Sequence, residues 1–248
     1  MLKGGVSVRR LSGNILKWIA AIFMVVDHVG VILFPELKTL RILGRLSFPI
    51  FAFMIAEGCR YTRNKLRYFL SIFGVGAVCQ LVLFLYNGSL EMNVLLTFSL
   101  SVLLVFSFAR FKEQILRQNT PVFYPFAYFL LFLGVLVGVV LLDSRFDLDY
   151  GAVGCLVPLF ASLLHPPKGK EGTALHRLDR PFIHALTAGI GVLLLAFDDG
   201  GLQYFGLLAL PLLLLYSGKR GKARMKYFFY VFYPVHLLVI WGIKCLFF

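Results

Sequence analysis

The chain has 248 residues, of which 59% are hydrophobic and only 15% charged, with a mean hydropathy of +0.84. That balance excludes an ordinary soluble domain. The net charge of +13 would suit a nucleic-acid binder, but it sits in short segments between apolar runs, so nucleic acid is excluded as a partner.

A helix crosses the hydrocarbon core of a bilayer in about 20 residues. On that measure the sequence predicts an all-α integral membrane protein, one polytopic helical bundle over residues 1–248. About nine transmembrane helices are expected: 15–34, 42–59, 67–86, 94–111, 122–142, 150–165, 182–197, 202–217 and 227–247. Basic clusters at 3–17, 60–67, 110–117, 168–180 and 219–226 alternate with connections that are mostly acidic or neutral. The connection with Lys38 and Arg41 beside Glu36 is the exception. The positive-inside rule then puts the N-terminus in the cytoplasm and the C-terminus outside.

The first run follows basic residues as a signal peptide would, but it is too long and lacks a small-x-small cleavage site, so a retained helix is expected. It carries Asp27 and His28. A central Asp costs at least ~2.5–3.5 kcal/mol on insertion scales, so such groups face a protein interior or a wet cavity. Helix neighbours one apart diverge by about 100°, so Asp27 and His28 should find different partners. Arg41 and Arg45, four apart at the start of the second span, share a face and are the natural counter-charges of Asp27. That set is either a structural salt bridge or part of a site. His28 titrates near neutrality and suits proton transfer, against the alternative of a structural hydrogen bond.

Arg41 and Arg45 at its start and Glu57 near its end make the second span the least regular. Glu57 is either buried and paired or snorkels beside Arg60. Asn93 and Thr97, four apart, can hydrogen-bond across helices as packing contacts. The four cysteines lie in or at the end of apolar stretches without a CxxC pair and read as small buried hydrophobes, so no metal is expected. The sixth, seventh and eighth spans are short, which suggests tilted pairs, re-entrant segments or a thinned region. The DLDYG stretch opens the sixth at the outer face, where Asp149 either orients an amine or hydroxyl substrate or simply belongs to an acidic outer loop. The 166–181 connection reads as a mobile surface segment. In the last span Tyr227, Tyr230, Tyr233 and His236 form a slowly drifting stripe interrupted by Pro234, which suits a helix lining a polar cavity; an interfacial tyrosine belt explains Tyr227 but not His236. No Walker A loop, GxSxG elbow, HExxH or dinucleotide fingerprint is present.

Five blocks carry a resemblance: LKWIAAIFMVVDHVG (16–30), LRILGRLSFPIFAFMIAEG (40–58), NVLLTFSLSVLLV (93–105), DYGAVGCLVPLF (149–160) and KYFFYVFYPVHLLVI (226–240). Together, and in this order, they resemble the TraX family, which is similar to the broader transmembrane acyltransferases. The resemblance implies an acetyltransferase that takes acetyl-CoA from the cytoplasm and acylates an acceptor at the far membrane face; the founding member is a pilin acetylase. It carries the family's Asp-His pair onto Asp27 and His28, its arginine onto Arg45, its DYG onto Asp149, Tyr150 and Gly151, and its YPxHL onto Tyr233, Pro234, His236 and Leu237.

On that basis His28 is expected to act as general base, with Asp27, Arg45, Tyr233 and His236 in the catalytic set. Arg41, Glu57, Asp149 and Tyr150 are expected at the acceptor, and Arg60, Arg63 and Arg67 at the phosphates of coenzyme A. The expected partners are acetyl-CoA, membrane lipid and an exported or membrane-embedded acceptor, whether a peptide N-terminus, a glycan or a lipid head group. No oligomeric state is set, and a homo-oligomer stays open. Two rivals remain: a proton-coupled transporter using Asp27, His28 and His236 as a relay, and an assembly factor whose polar residues only hold helices together.

Overall fold

The computed structural model describes residues 11–117, 119–167, 174–221 and 226–247. The helices are α1 (Gly13–Ile32), α2 (Lys38–Gly44), α3 (Ser47–Tyr61), α4 (Lys65–Asn87), α5 (Val94–Ile115), α6 (Phe123–Phe146), α7 (Gly151–Ser162), α8 (Ala174–Arg177), α9 (Pro181–Asp199), a 3₁₀ segment Gly201–Ala209 continuing into α10 (Leu210–Leu214), and α11 (Lys226–Phe247). Among the described residues there is no sheet, only two isolated bridges, Leu11 with Tyr216 and Met92 with Leu148.

Local signals explain several helix ends. The side chains of Ser12, Asn64 and Asn93 cap α1, α4 and α5 by accepting from Ile15, Arg67 and Leu95 N–H groups. Pro181 starts α9, where its missing N–H costs nothing. Gly200 and Gly201, at φ 68° and 50°, supply the left-handed turn that folds the 3₁₀ segment back along α9.

Among the described residues, seven helices are long and apolar enough to cross a membrane, with α2 and α3 counted as one broken span, Lys38–Tyr61. This is a multi-pass, all-α membrane protein. The expectation of about nine spans needs two adjustments. The seventh, expected to be short, is the full 19-residue α9. The sixth and eighth are α7, of 12 residues, and Gly201–Leu214, both below the length that covers about 30 Å of hydrocarbon. α7 is buried in the bundle, whereas Gly201–Leu214 buries Gln203, Gly206, Ala209 and Leu213 and leaves Tyr204, Phe205 and Leu208 exposed. Val157 on α7, Val192 and Leu195 on α9, Val102 on α5, and Phe48 and Ala52 on α3 form one buried cluster. Gly191 lets α9 approach α7 until an added β-carbon would stand 3.1 Å from the Val157 Cα, the close packing small residues permit in lipid.

α6 lies at the periphery. Val139 is its one buried residue, while Leu130, Leu131, Val137 and Val140 are exposed, as a lipid-facing helix requires. The polar contacts gather in two layers at opposite ends of the bundle. One holds Asp27, Arg41, Arg45 and Gln203; the other holds Glu57, Arg60, His165, Asp179, His184 and Tyr216. Arg45 and Glu57 bound these layers on the α2–α3 span, 12 residues or about 18 Å apart along it.

In the second layer Lys112 Nζ, at the end of α5, donates to the carbonyls of Ser162 (3.3 Å) and Leu163 (2.8 Å), closing the C-terminus of α7. A charged donor on the last carbonyls of a short helix complements its dipole. Lys112→Met is expected to cost about 1.5–3 kcal/mol, the value of hydrogen bonds to a charged group. It should lower the melting temperature in detergent; an unchanged melting curve would show that α7 needs no such cap. Of the cysteines, Cys59, Cys79 and Cys155 are buried as expected, but Cys245 is exposed, because it faces outward from the last turn of α11. Part of the 166–181 segment expected to be mobile, and the Tyr227 side chain, lie outside the described residues.

Candidate functional site

Asp27 is 9% exposed and sits on the face of α1 turned toward α2. Gly44 makes that approach possible, since a β-carbon there would overlap the Asp27 carboxylate. Arg41 Nη1 donates to Oδ2 at 2.8 Å, and Arg45 Nη2 donates to Oδ1 at 3.1 Å and Oδ2 at 3.0 Å. Arg45 lies where the span breaks between α2 and α3, and it is also 9% exposed. The expected pairing of Asp27 with both arginines is therefore present, and His28 faces elsewhere.

His28 turns toward α11. Its Nδ1 is 2.9 Å from the carbonyl of Met24 and 3.1 Å from Nε2 of His236, while Nδ1 of His236 is 2.9 Å from the carbonyl of Phe232. A carbonyl only accepts, so each Nδ1 carries the proton in the neutral rings. His28 then shares its N–H with the lone pair of His236, and its own lone pair resides on Nε2. Tyr233 is buried three residues before His236 on α11, its ring centroid 5.7 Å from that of His236, packed with Met24 and Cys79. α11 stays helical through Pro234.

The DLDYG loop closes the same end of the bundle. Asp147 and Tyr150 both have positive φ, 54° and 66°, which is costly for side chains with a Cβ. Three contacts hold the loop in this form. Asp143 accepts from the N–H groups of Leu148 (3.1 Å) and Ala152 (2.8 Å); Met92 exchanges backbone hydrogen bonds with Asp147 and Asp149; Thr97 donates to the Asp149 carbonyl at 2.8 Å. Asn93, as expected, reaches across to the Gly76 carbonyl and Gln80. The loop presents Tyr150 stacked on Phe48, centroids 3.8 Å apart, with the Arg45 guanidinium 5.7 Å from its ring centroid.

Arg45, Asp149 and Tyr150 line an open cavity of about 570 Å³ whose other walls are strongly acidic, with Glu91, Asp143 and Asp198 among them. Asp149 is exposed within the cavity yet enclosed by protein on its remaining sides. That enclosure pushes its carboxyl up from the usual range, to about 7, against the opposing pull of Arg45 and Arg41.

Not every expected residue joins this site. Glu57 is buried in the opposite layer, where Tyr216 donates to it at 2.8 Å and His165 Nε2 lies 3.4 Å away. Arg60 is in that layer too, paired with Asp179, which also accepts from His184 Nε2 at 2.9 Å. Burial opposes charge on Asp179, but the bonds from Arg60 and His184 outweigh it and hold its carboxyl below the usual range. Arg63 and Arg67 are exposed at the same end. Sequence spacing gave no access to Gln203, His165, Asp179, His184 or Tyr216. The available signal was compositional: four of the five histidines occur as two close pairs, His28 with His236 and His165 with His184.

A helical membrane bundle with a buried carboxylate clamped by two arginines, beside a histidine pair, defines a polytopic membrane protein with a polar site in its interior. The family model "TraX protein" matches residues 12–244, and the chain belongs to the TraX family. It is 26% identical over 265 aligned positions to a "Probable fimbrial assembly protein FimC, serogroup H1" of Dichelobacter nodosus, covering 92% of this chain and 94% of that one. It is also 33% identical over 96 residues to "Uncharacterized protein RP591" of Rickettsia prowazekii (strain Madrid E), covering 38% of this chain and 37% of that protein. No solved structure matches.

Two predictions follow from the geometry. Gly44→Ala drives a β-carbon into the Asp27 carboxylate, so it should separate Asp27 from its arginines and destabilise the fold by about 3–5 kcal/mol, the cost of breaking a buried ion pair. Unfolding in denaturant would show it, and a wild-type midpoint would mean that α1 and α2 have room to part. Asp149 has the opposite sense to a paired carboxylate. With its folded pKa raised, the folded state binds the proton more tightly than the unfolded chain, so stability falls as pH rises from about 4 to about 7. Asp149→Asn should remove that slope, leaving the variant more stable than wild type above neutral pH and no better at acid pH. Parallel melting curves across that window would refute the assignment.

Proposed function

We propose that this protein is a membrane-embedded acetyltransferase that moves an acetyl group from cytoplasmic acetyl-CoA to an amine or hydroxyl of an exported or membrane-associated acceptor. The observation that carries the reading is the His28 imidazole, with its Nδ1 proton held by Met24 and His236 and its lone pair on Nε2. A ring fixed in one tautomer beside an ion-pair network is suited to general base catalysis. His28 Nε2 takes the proton from the acceptor as its nitrogen or oxygen attacks the thioester carbonyl. The C–N or C–O bond forms, the tetrahedral intermediate collapses, and the C–S bond breaks to release coenzyme A as the thiol. His236 and Asp27 orient and charge-balance the site. Arg45, with Tyr233 nearby, stabilises the oxyanion.

Family membership supports this reading, as does the name of the Dichelobacter relative, a probable fimbrial assembly protein. The acceptor enters from the open acidic cavity, which faces outside if the N-terminus is cytoplasmic. Arg63 and Arg67, exposed at the opposite end, fit the phosphates of coenzyme A. Arg60 is engaged by Asp179 and fits them less well. The thioester then reaches His28 between the helices, about 22 Å from the start of α1. The membrane is the bacterial cytoplasmic one, where acetyl-CoA is at hand.

A proton-coupled transporter is the second reading, and the 3.1 Å contact between His28 and His236 is what favours it. The two separate cleanly. Purified protein in lipid, supplied with acetyl-CoA and simple amine and sugar acceptors, should release coenzyme A, and His28→Ala should lower kcat by about 10²–10⁴-fold. If no release occurs and acetyl-CoA fails to raise the melting temperature, the donor assignment falls. Flux of a solute driven by a pH gradient would then establish the transporter.

A further inference from the structure

Arg45 is gripped along two edges of its guanidinium. Nη2 donates to both oxygens of Asp27, and Nη1 donates to Oε1 of Gln203 at 3.2 Å. Gln203 is only 1% exposed and comes from the 3₁₀ segment, 158 residues further along the chain. That segment is itself fixed against the α2–α3 break. Gly206 lies in van der Waals range of the Arg45 carbonyl, Pro49 and Val192, and the Gly200–Gly201 turn sets where the segment begins. The reach of the amide is thus set by backbone packing. Its remaining nitrogen, Nε2, is buried without a hydrogen-bond partner, and so is Arg45 Nε. A buried donor left unpaired is costly, by about 1–3 kcal/mol. A side chain kept at that cost points to a role other than stability.

The charge count gives the role. Asp27 offers one negative charge to two guanidinium groups, those of Arg41 and Arg45. The fourth member of the cluster accepts a hydrogen bond but brings no charge. A carboxylate at position 203 would have balanced the set; an amide leaves one positive charge in surplus. The two arginines share that surplus, and Arg45 is the one that lines the cavity, with Tyr150 beside it and Asp149 acting on it electrostatically. A cation whose plane is fixed before the reaction stabilises developing negative charge without reorganising.

We propose that Gln203 is a positioning residue for the acetyl-transfer reading given above: it fixes the plane of the Arg45 guanidinium while leaving its charge uncancelled for an anionic oxygen. Two substitutions separate these duties. Gln203→Glu keeps the accepting oxygen and adds the missing negative charge; Gln203→Met keeps the volume and removes the acceptor.

Both variants and the wild type are compared in lipid nanodiscs by melting temperature, by coenzyme A release from acetyl-CoA, and by the ¹⁵N spectrum of the arginine guanidinium groups, with the Arg45 signals assigned from Arg45→Lys. Gln203→Glu should melt at or above the wild-type temperature yet lose about tenfold or more in kcat, with KM for acetyl-CoA within about twofold. A purely structural glutamine predicts the reverse, since an added ion pair would be tolerated, and full activity in Gln203→Glu overturns the charge argument. In Gln203→Met the two Nη signals of Arg45, separate in the wild type because rotation is blocked, should merge. If they stay separate, Gln203 does not position Arg45. Should the wild type release no coenzyme A, the acetyltransferase reading fails on its own, while the nitrogen spectrum still decides whether Gln203 holds the guanidinium.

Discussion

A single negative charge within the bundle organises one end of this protein. Asp27 cannot remain ionised in hydrocarbon alone. Its two arginines come from a helix that breaks at Arg45 to deliver them, and glycine at position 44 is what lets the carboxylate close on them. The same demand recruits the 3₁₀ segment through Gln203 and brings the DLDYG loop against Arg45 through Tyr150. The broken second span and the short segment after α9 are two irregularities of the bundle that meet at this one ion cluster. A regular seven-helix packing without them would leave the carboxylate uncompensated.

The second polar layer obeys the same rule with different chemistry. Glu57 and Asp179 are each matched to an imidazole and to a further donor, Tyr216 or Arg60, and the two histidine rings meet edge to face with centroids 4.4 Å apart. These contacts tie the ends of α3, α7, α9 and α10 together. Buried ion pairs of this kind are weak sources of net stability, and breaking one by removing a partner is costly. The pairing of Asp27, by contrast, leaves a charge in surplus, and it borders the open cavity.

Much of this was legible in the sequence. Hydropathy located each transmembrane segment, and helical geometry separated Asp27 from His28 and paired Asp27 with Arg41 and Arg45. Proximity along the chain made that possible, because α1 and α2 are joined by a short connection and depth alone matched the charges. Glu57 shows where the method stops. Its depth was clear, but its partners Tyr216 and His165 arrive from segments more than 100 residues away, and nothing in local spacing encodes that meeting. Gln203 was invisible for the same reason, and also because a glutamine in an apolar stretch carries no charge to flag it. The length of α9 is masked in the sequence by Asp198 and Asp199, which resemble a polar connection, whereas the helix runs through them to its cap at Gly200.

The two short central segments have an electrical consequence. Between the layers marked by Arg45 and Glu57 lie only about 18 Å of apolar material, roughly half to two-thirds of a bilayer's hydrocarbon thickness. Any voltage across the membrane falls mainly over the least polarisable stretch of its path, so at the middle of this protein the field is concentrated into that narrower gap. His28 stands at the edge of that gap rather than in its centre. A proton reaching it from the cavity would cross little of the potential, whereas one reaching it from the other end would cross nearly all of it.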